Sequence, residues 1–157
     1  MKALKMGYED KMAEHLTSIK AVLVPGEEIV LNFYGIYNIK GFQAGGNPDL
    51  TGTWAASNKQ LLFIGKAKFT SGWSGFAKAG HVITIPYPQI VDFILAKQKI
   101  KIIHTAEHEG KKEGAKRSVT MMPHRLPVGP SGKKENDKEW IARAESIYNQ
   151  INKLRGH

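Results

Sequence analysis

The stretch "HTAEHEG", residues 104–110, holds the arrangement in this chain that most resembles a metal site. His104, Glu107 and His108 fit the H-x-x-E-H pattern of the inverted zinc peptidases. That chemistry needs a helix, because only there do positions i and i+4 share a face and pinch one ion. The residues leading in, "KIKIIH", alternate polar and apolar, which is the period of a strand. On a strand the two imidazoles stand about 13 Å apart at ~3.3 Å per residue, too far to share zinc. The metal reading is set aside, and no metal is expected.

Two other motifs fail on a single residue. "GFQAGGN", residues 41–47, approaches a phosphate-binding loop but has Asn47 where the lysine belongs. "GWSGF", residues 72–76, lacks the second glycine spacing of a nucleophile elbow. The chain has no cysteine, which excludes disulfides, thiolate metal sites and cysteine nucleophiles. No carboxylate pair or nucleophile–histidine set stands out. The sequence reads as non-enzymatic, with no cofactor and no evident small-molecule substrate.

What remains is surface. In "KAKFTSGWSGFAKAGHV", Trp73 and Phe76 lie among glycines with Lys66, Lys68 and Lys78 nearby. Aromatic rings ringed by lysines can enter a membrane interface or anchor a protein contact. The alternative is that both rings fold back into the core, as large aromatics usually do. A second candidate is the basic turn with Lys111, Lys112, Lys116 and Arg117, continued by Lys133 and Lys134. Its structural alternative is an edge hairpin kept from aggregating by charge.

The formal charge of +9 is uneven. Residues 1–96 carry nine Lys/Arg against seven Asp/Glu, and residues 97–157 carry fourteen against seven, so the excess is +2 and then +7. A basic half attracts acidic protein, anionic lipid or nucleic acid. Nucleic acid ranks last, because that half lacks interleaved stacking aromatics. The N-terminus has no apolar run of signal-peptide length, and no stretch approaches the ~20 apolar residues of a membrane span. A cytoplasmic location is expected, with peripheral membrane contact as the alternative.

The 157 residues suit one domain. Tyr8, Met12, Leu16, Ile19 and Leu23 fall at steps of three or four, predicting an amphipathic helix over 8–23 ended by Pro25-Gly26. Strands are predicted near 28–39, 50–57, 61–69, 81–87, 90–97, 99–107 and 116–122, from β-branched and aromatic runs between Gly, Asn, Pro and Lys clusters. With no helix between consecutive strands, an antiparallel barrel or sandwich is expected. After a loop over 123–136, a helix is predicted over 137–155. Its apolar face carries Trp140, Ile141, Ala144, Ile147, Tyr148, Ile151 and Leu154. Asn136 or Asp137 serves as N-cap and Gly156 as the stop.

Seven such strands closed by one amphipathic helix resemble the pleckstrin-homology-like architecture. "LVPGEEIVLNFYG" is similar to the opening of bacterial members of the YokE-like and GRAM-related kind, "GTWAASNKQLLFIGK" to their second-to-third strand hairpin, and "ITIPYPQIVDF" to their fourth-to-fifth strand passage. Each piece also has a physical reason. Asn58 is expected to tolerate a positive φ in a tight turn. The run Leu61–Ile64 suits a strand covered on both faces, and Pro86 and Pro88 suit a strand leaving one sheet for another. The resemblance implies a seven-stranded antiparallel barrel or orthogonal sandwich capped by the C-terminal helix. It further implies a binding or adaptor module without catalysis, expected to engage an acidic or amphipathic protein partner or copies of itself. Inositide-binding members flank the first-to-second strand loop with several Lys/Arg. Here "NIKGFQAGGNPD" offers Lys40 alone, which argues against inositide recognition.

Overall fold

The computed structural model describes residues 8–39, 49–67, 82–105, 116–127 and 133–156. The order is α1 (Tyr8–Lys20), β1 (Ile29–Ile39), β2 (Asp49–Ser57), β3 (Gln60–Ala67) and β4 (Ile83–Pro86). A 3₁₀ turn over Tyr87–Gln89 leads to β5 (Ile90–Ala96), β6 (Lys99–Thr105), β7 (Lys116–Pro123) and α2 (Asp137–Arg155).

All seven strands are antiparallel and form one sheet of order β4-β3-β2-β1-β7-β6-β5. The sheet is a curled, mainly β sandwich with a helix at each end of the chain, as expected, but it does not close into a barrel. β4 and β5 are its two edges. Pro86 and Pro88 explain why: neither has an N–H for a ladder, so the chain crosses between the edges as the 3₁₀ turn rather than as a shared strand. The predicted strand over 81–87 is accordingly shorter, and the predicted first helix stops at Lys20 instead of residue 23.

β1 belongs to both halves of the sheet. It pairs β2 from Ile29 to Asn38 but β7 only from Gly35 to Ile39. The bend that allows this runs through a row of three glycines, with Gly35 opposite Gly52 and Gly52 opposite Gly65. A Cβ on Gly35 would lie 2.3 Å from the Met122 carbonyl oxygen. One on Gly52 would lie 2.0 Å from that of Ile64, and one on Gly65 2.5 Å from that of Thr51. Backbone therefore occupies the space a side chain would need.

Inside the curl, Tyr37, Trp54 and Phe63 pack with ring centroids 5.0–5.4 Å apart. Trp54 meets its one polar need by donating Nε1–H to the Ile36 carbonyl at 2.9 Å. α2 fills the same interior with Ala144, Ile147 and Ile151, and Tyr148 stacks on Phe93 at 5.1 Å. The helix starts as the sequence predicts: Asn136 accepts from the Glu139 N–H, and Glu139 in return accepts from the Asn136 N–H. Gly156, at φ 88, ends it. On the outer face α1 lays Ile19 over Ala55, Leu62 and Ile64, with Leu16 and Leu23 beside them. Leu61 and Phe63 face inward and Leu62 and Ile64 lie under α1, so β3 is covered on both sides as its unbroken apolar run predicts.

The β2–β3 turn departs from expectation in detail. Among the described non-glycine residues the positive φ falls on Lys97, not on Asn58. Ser57 Oγ instead accepts from the N–H groups of Lys59 and Gln60, each at 3.0 Å, and closes the turn in ordinary backbone space. Asn58 uses its side chain to tie the turn to the start of β1, accepting from the Glu28 N–H and donating to the Gly26 carbonyl.

Gly52→Ala is expected to lower stability by about 3 kcal/mol, the upper range for forcing atoms into a packed interior. Urea denaturation reads this directly, and an unchanged midpoint would show that the glycine row is not the bend on which the sheet turns.

Candidate binding groove

The sequence-predicted surface residues divide sharply. Lys68, Trp73, Phe76, Lys78, Lys111 and Lys112 lie outside the described residues, as does His108 of the H-x-x-E-H motif. Lys66 stands near the end of β3. Lys116 and Arg117 open β7, with Lys116 exposed and Arg117 half-buried. His104 is buried on β6, a strand as the alternation of "KIKIIH" requires. Among the described residues no three His, Asp or Glu side chains gather as metal ligands. No described helix is long and apolar enough to cross a membrane.

The geometry instead builds a groove where sequence reasoning placed nothing. It lies between α1 and the first half of β1, has a volume of about 450 Å³, and is lined by Met12, Ala13 and Leu16 from the helix. Asn32, Phe33 and Tyr34 of β1 line its floor, and Leu126 and Arg143 close its far side. Its position follows from the pairing of β1. The last β7-side contact is the His124 N–H donating to the Tyr34 carbonyl at 3.0 Å. Continued one step further, the register that sets Gly35 opposite Pro123 would put Leu126 opposite Asn32.

That step is not taken, because Glu135 captures the chain. Its backbone N–H donates to the Leu126 carbonyl at 2.9 Å, and its Oε1 accepts the Leu126 N–H at 2.9 Å. Pro127 then bridges Lys134. Glu135 is itself held by Arg143, whose Nε donates to Oε2 at 2.9 Å and whose Nη2 donates to Oε1 at 3.2 Å. Nη2 also donates to the His124 carbonyl. Beside this pair Arg125 forms an ion pair with Asp137 and lies 4.2 Å over the Trp140 ring. The His124 ring meets Tyr34 edge-on at 5.1 Å.

Ionisation follows from these contacts. Burial by itself would raise the Glu135 carboxyl, but the hydrogen bonds from Arg143 and the Leu126 N–H, with the charges of Arg143 and Arg125, outweigh it and hold it below its ordinary value. His124 is pushed down by burial first, then by Lys134 and Arg143, so it is neutral near neutral pH. At the other end of α1, Glu27 repeats the Glu135 pattern. Burial opposes its charge, while Ser57 Oγ at 2.6 Å, the Val24 N–H, Gln60 and the charge of Lys59 outweigh burial and lower it.

Sequence reading had one signal for the groove, the apolar stripe of the first helix with Met12 and Leu16. Asn32, Leu126 and Arg143 are brought together only by the tertiary fold and leave no local pattern. The described lysines also include an exposed set, Lys97, Lys99 and Lys101, on the β5–β6 hairpin. Strand alternation sets Lys99 and Lys101 on one face.

No protein-family model matches the sequence, and no curated protein matches it. Among solved structures the chain is similar to the C-terminal domain of an unknown protein from Leishmania infantum, with 11% identity over 92% of this chain and 97% of that one and a TM-score of 0.49. It is also similar to the hSac2 domain of the human phosphoinositide phosphatase Sac2, with 10% identity over 95% of this chain and 85% of that one and a TM-score of 0.41.

Glu27 and Glu135 have folded-state values below the ordinary 4.5, so their stabilisation is full above that value. It is lost as pH falls through 4.5 toward the lower folded values. Stability measured by urea from about pH 6 to about pH 3 is expected to drop across this window, with a shallower drop in Glu27→Gln and Glu135→Gln. An identical slope in both variants and the parent would show that these carboxylates do not set the acid limit.

Proposed function

We propose that this chain is a non-catalytic binding module of the bacterial pleckstrin-homology-like family and that it engages a protein partner in the groove between α1 and β1. The observation that carries the reading is the groove itself: an open, mostly apolar channel on a rigid sheet. Its lining joins Met12, Leu16, Phe33, Tyr34 and Leu126 to two polar groups, Asn32 and Arg143. A few placed polar groups in an apolar lining are the usual composition of a recognition site. The order of elements and the glycine bend support the family, since both suit a curled seven-stranded sheet plugged by a terminal helix.

The partner class follows from shape. The groove runs beside a strand, which suits a polypeptide segment more than a compact metabolite. Exposed aliphatic side chains also stand on the helix-to-strand link, with Val22 at 45%, Val24 at 50% and Val30 at 53% exposure.

Selection of displayed random short peptides tests the reading. Peptides are expected to enrich on the parent chain and to fail on Met12→Asp, which sets a charge in the groove without touching either core cluster. Full-strength binding of the enriched peptides to Met12→Asp, or no enrichment at all, overturns the proposal.

A further inference from the structure

The geometry points to a mode of binding in this groove: an extended partner segment adds as a strand to the free half-edge of β1 and offers a carboxylate to Arg143. This inference rests on the partner-binding reading above and specifies its chemistry. It starts from the direction of backbone groups. The Tyr34 carbonyl faces the β7 side, where it accepts from His124. Backbone groups alternate sides along a strand, so the N–H and C=O of Asn32 face that side too. β1 pairs β7 only from Gly35 onward, and Asn32 is exposed. Among the described residues no backbone group meets Asn32 there, because Leu126, which the register would set opposite, is bonded to Glu135 instead.

A strand edge with unspent donors and acceptors recruits an extended chain. Here it does so beside an apolar channel. A segment lying along Asn32 would set alternate side chains on the surface formed by Met12, Ala13 and Leu16.

Charge fixes the second requirement. Arg143 is the charged residue of the lining. A guanidinium has five N–H donors. Nε gives one to Glu135, and Nη2 gives its two to Glu135 and the His124 carbonyl. The two on Nη1 have no protein acceptor among the described residues. At this end of the groove Arg125 is paired with Asp137 and Arg143 with Glu135, and Lys134 adds a positive charge close to His124. A partner carboxylate would accept a charge-assisted hydrogen bond from Nη1 beside this cluster. The occupant is therefore an extended segment with alternating apolar side chains and one acidic group, not a folded amphipathic helix.

The probe is the peptide most enriched in the selection above, fluorescently labelled and measured by anisotropy. Asn32→Pro removes the outward N–H while leaving the β2-facing ladder intact, and it is expected to weaken binding about fivefold or more, the worth of one backbone hydrogen bond. Replacing the acidic group of the peptide with its amide is expected to weaken binding about tenfold. Hydrogen exchange supplies a readout that needs no variant: the Asn32 amide exchanges fast in the free chain and slows when the peptide is added. Binding that is abolished by Met12→Asp but indifferent to Asn32→Pro, with an Asn32 amide unprotected by peptide, would overturn strand addition while leaving the groove as the site. Loss of neither would remove the groove as well.

Discussion

Three missing side chains set the shape of this molecule. At Gly35, Gly52 and Gly65 the backbones of neighbouring strands stand so close that a Cβ would overlap a carbonyl oxygen at each position. A sheet bent this sharply can present one concave surface to α2 and one convex surface to α1. The aromatic set of Tyr37, Trp54 and Phe63 sits on the concave side, where Phe63 reaches back under the row. Both cores depend on the bend.

Much of this was legible in the sequence, for local reasons. The second helix declares itself through its apolar face, the Asn136–Glu139 capping pair and Gly156, and all of these act within a few residues of one another. The run Leu61–Ile64 announces a strand covered twice, because a one-sided strand would alternate. What failed were inferences that needed partners distant in sequence. Asn58 carries no positive φ, since Ser57 Oγ closes the turn and frees the backbone from that demand. The sheet remains open where a barrel was an alternative, because Pro86 and Pro88 sit at the crossing. The groove was nearly invisible: Asn32 lies far along the chain from Leu126 and Arg143, and the three share no periodicity.

The two buried carboxylates have parallel roles that composition alone would not suggest. Glu27 gathers Ser57, Gln60 and the Val24 N–H, and so ties the link after α1 to the β2–β3 turn. Tyr87 joins the same knot by donating to the Ser57 carbonyl at 2.6 Å, which fixes the 3₁₀ crossing to that turn. Glu135 gathers Arg143 and the Leu126 N–H, and so ties the link before α2 to the end of β7. Each acid fastens a helix to the sheet at a point where apolar contact is thin and backbone donors would otherwise be left unmet.

Glu135 does more than fasten. The segment 124–127 leaves β7 with donors and acceptors that two surfaces can satisfy, the edge of β1 or the strand-like stretch at 134–135. Pairing with β1 would extend a regular ladder, so the observed choice needs a reason. A buried carboxylate supplies it: left without the Leu126 N–H, Glu135 would keep only Arg143 and the more distant charge of Arg125 to offset its desolvation. The ion pair therefore prefers the arrangement that leaves Asn32 uncovered. The same Arg143 that stabilises Glu135 also lines the groove, so the interaction that keeps the β1 edge open also places a cation beside it. An open edge and a nearby positive charge are thus two consequences of one buried pair, and the groove has its chemistry because the core at that end is polar.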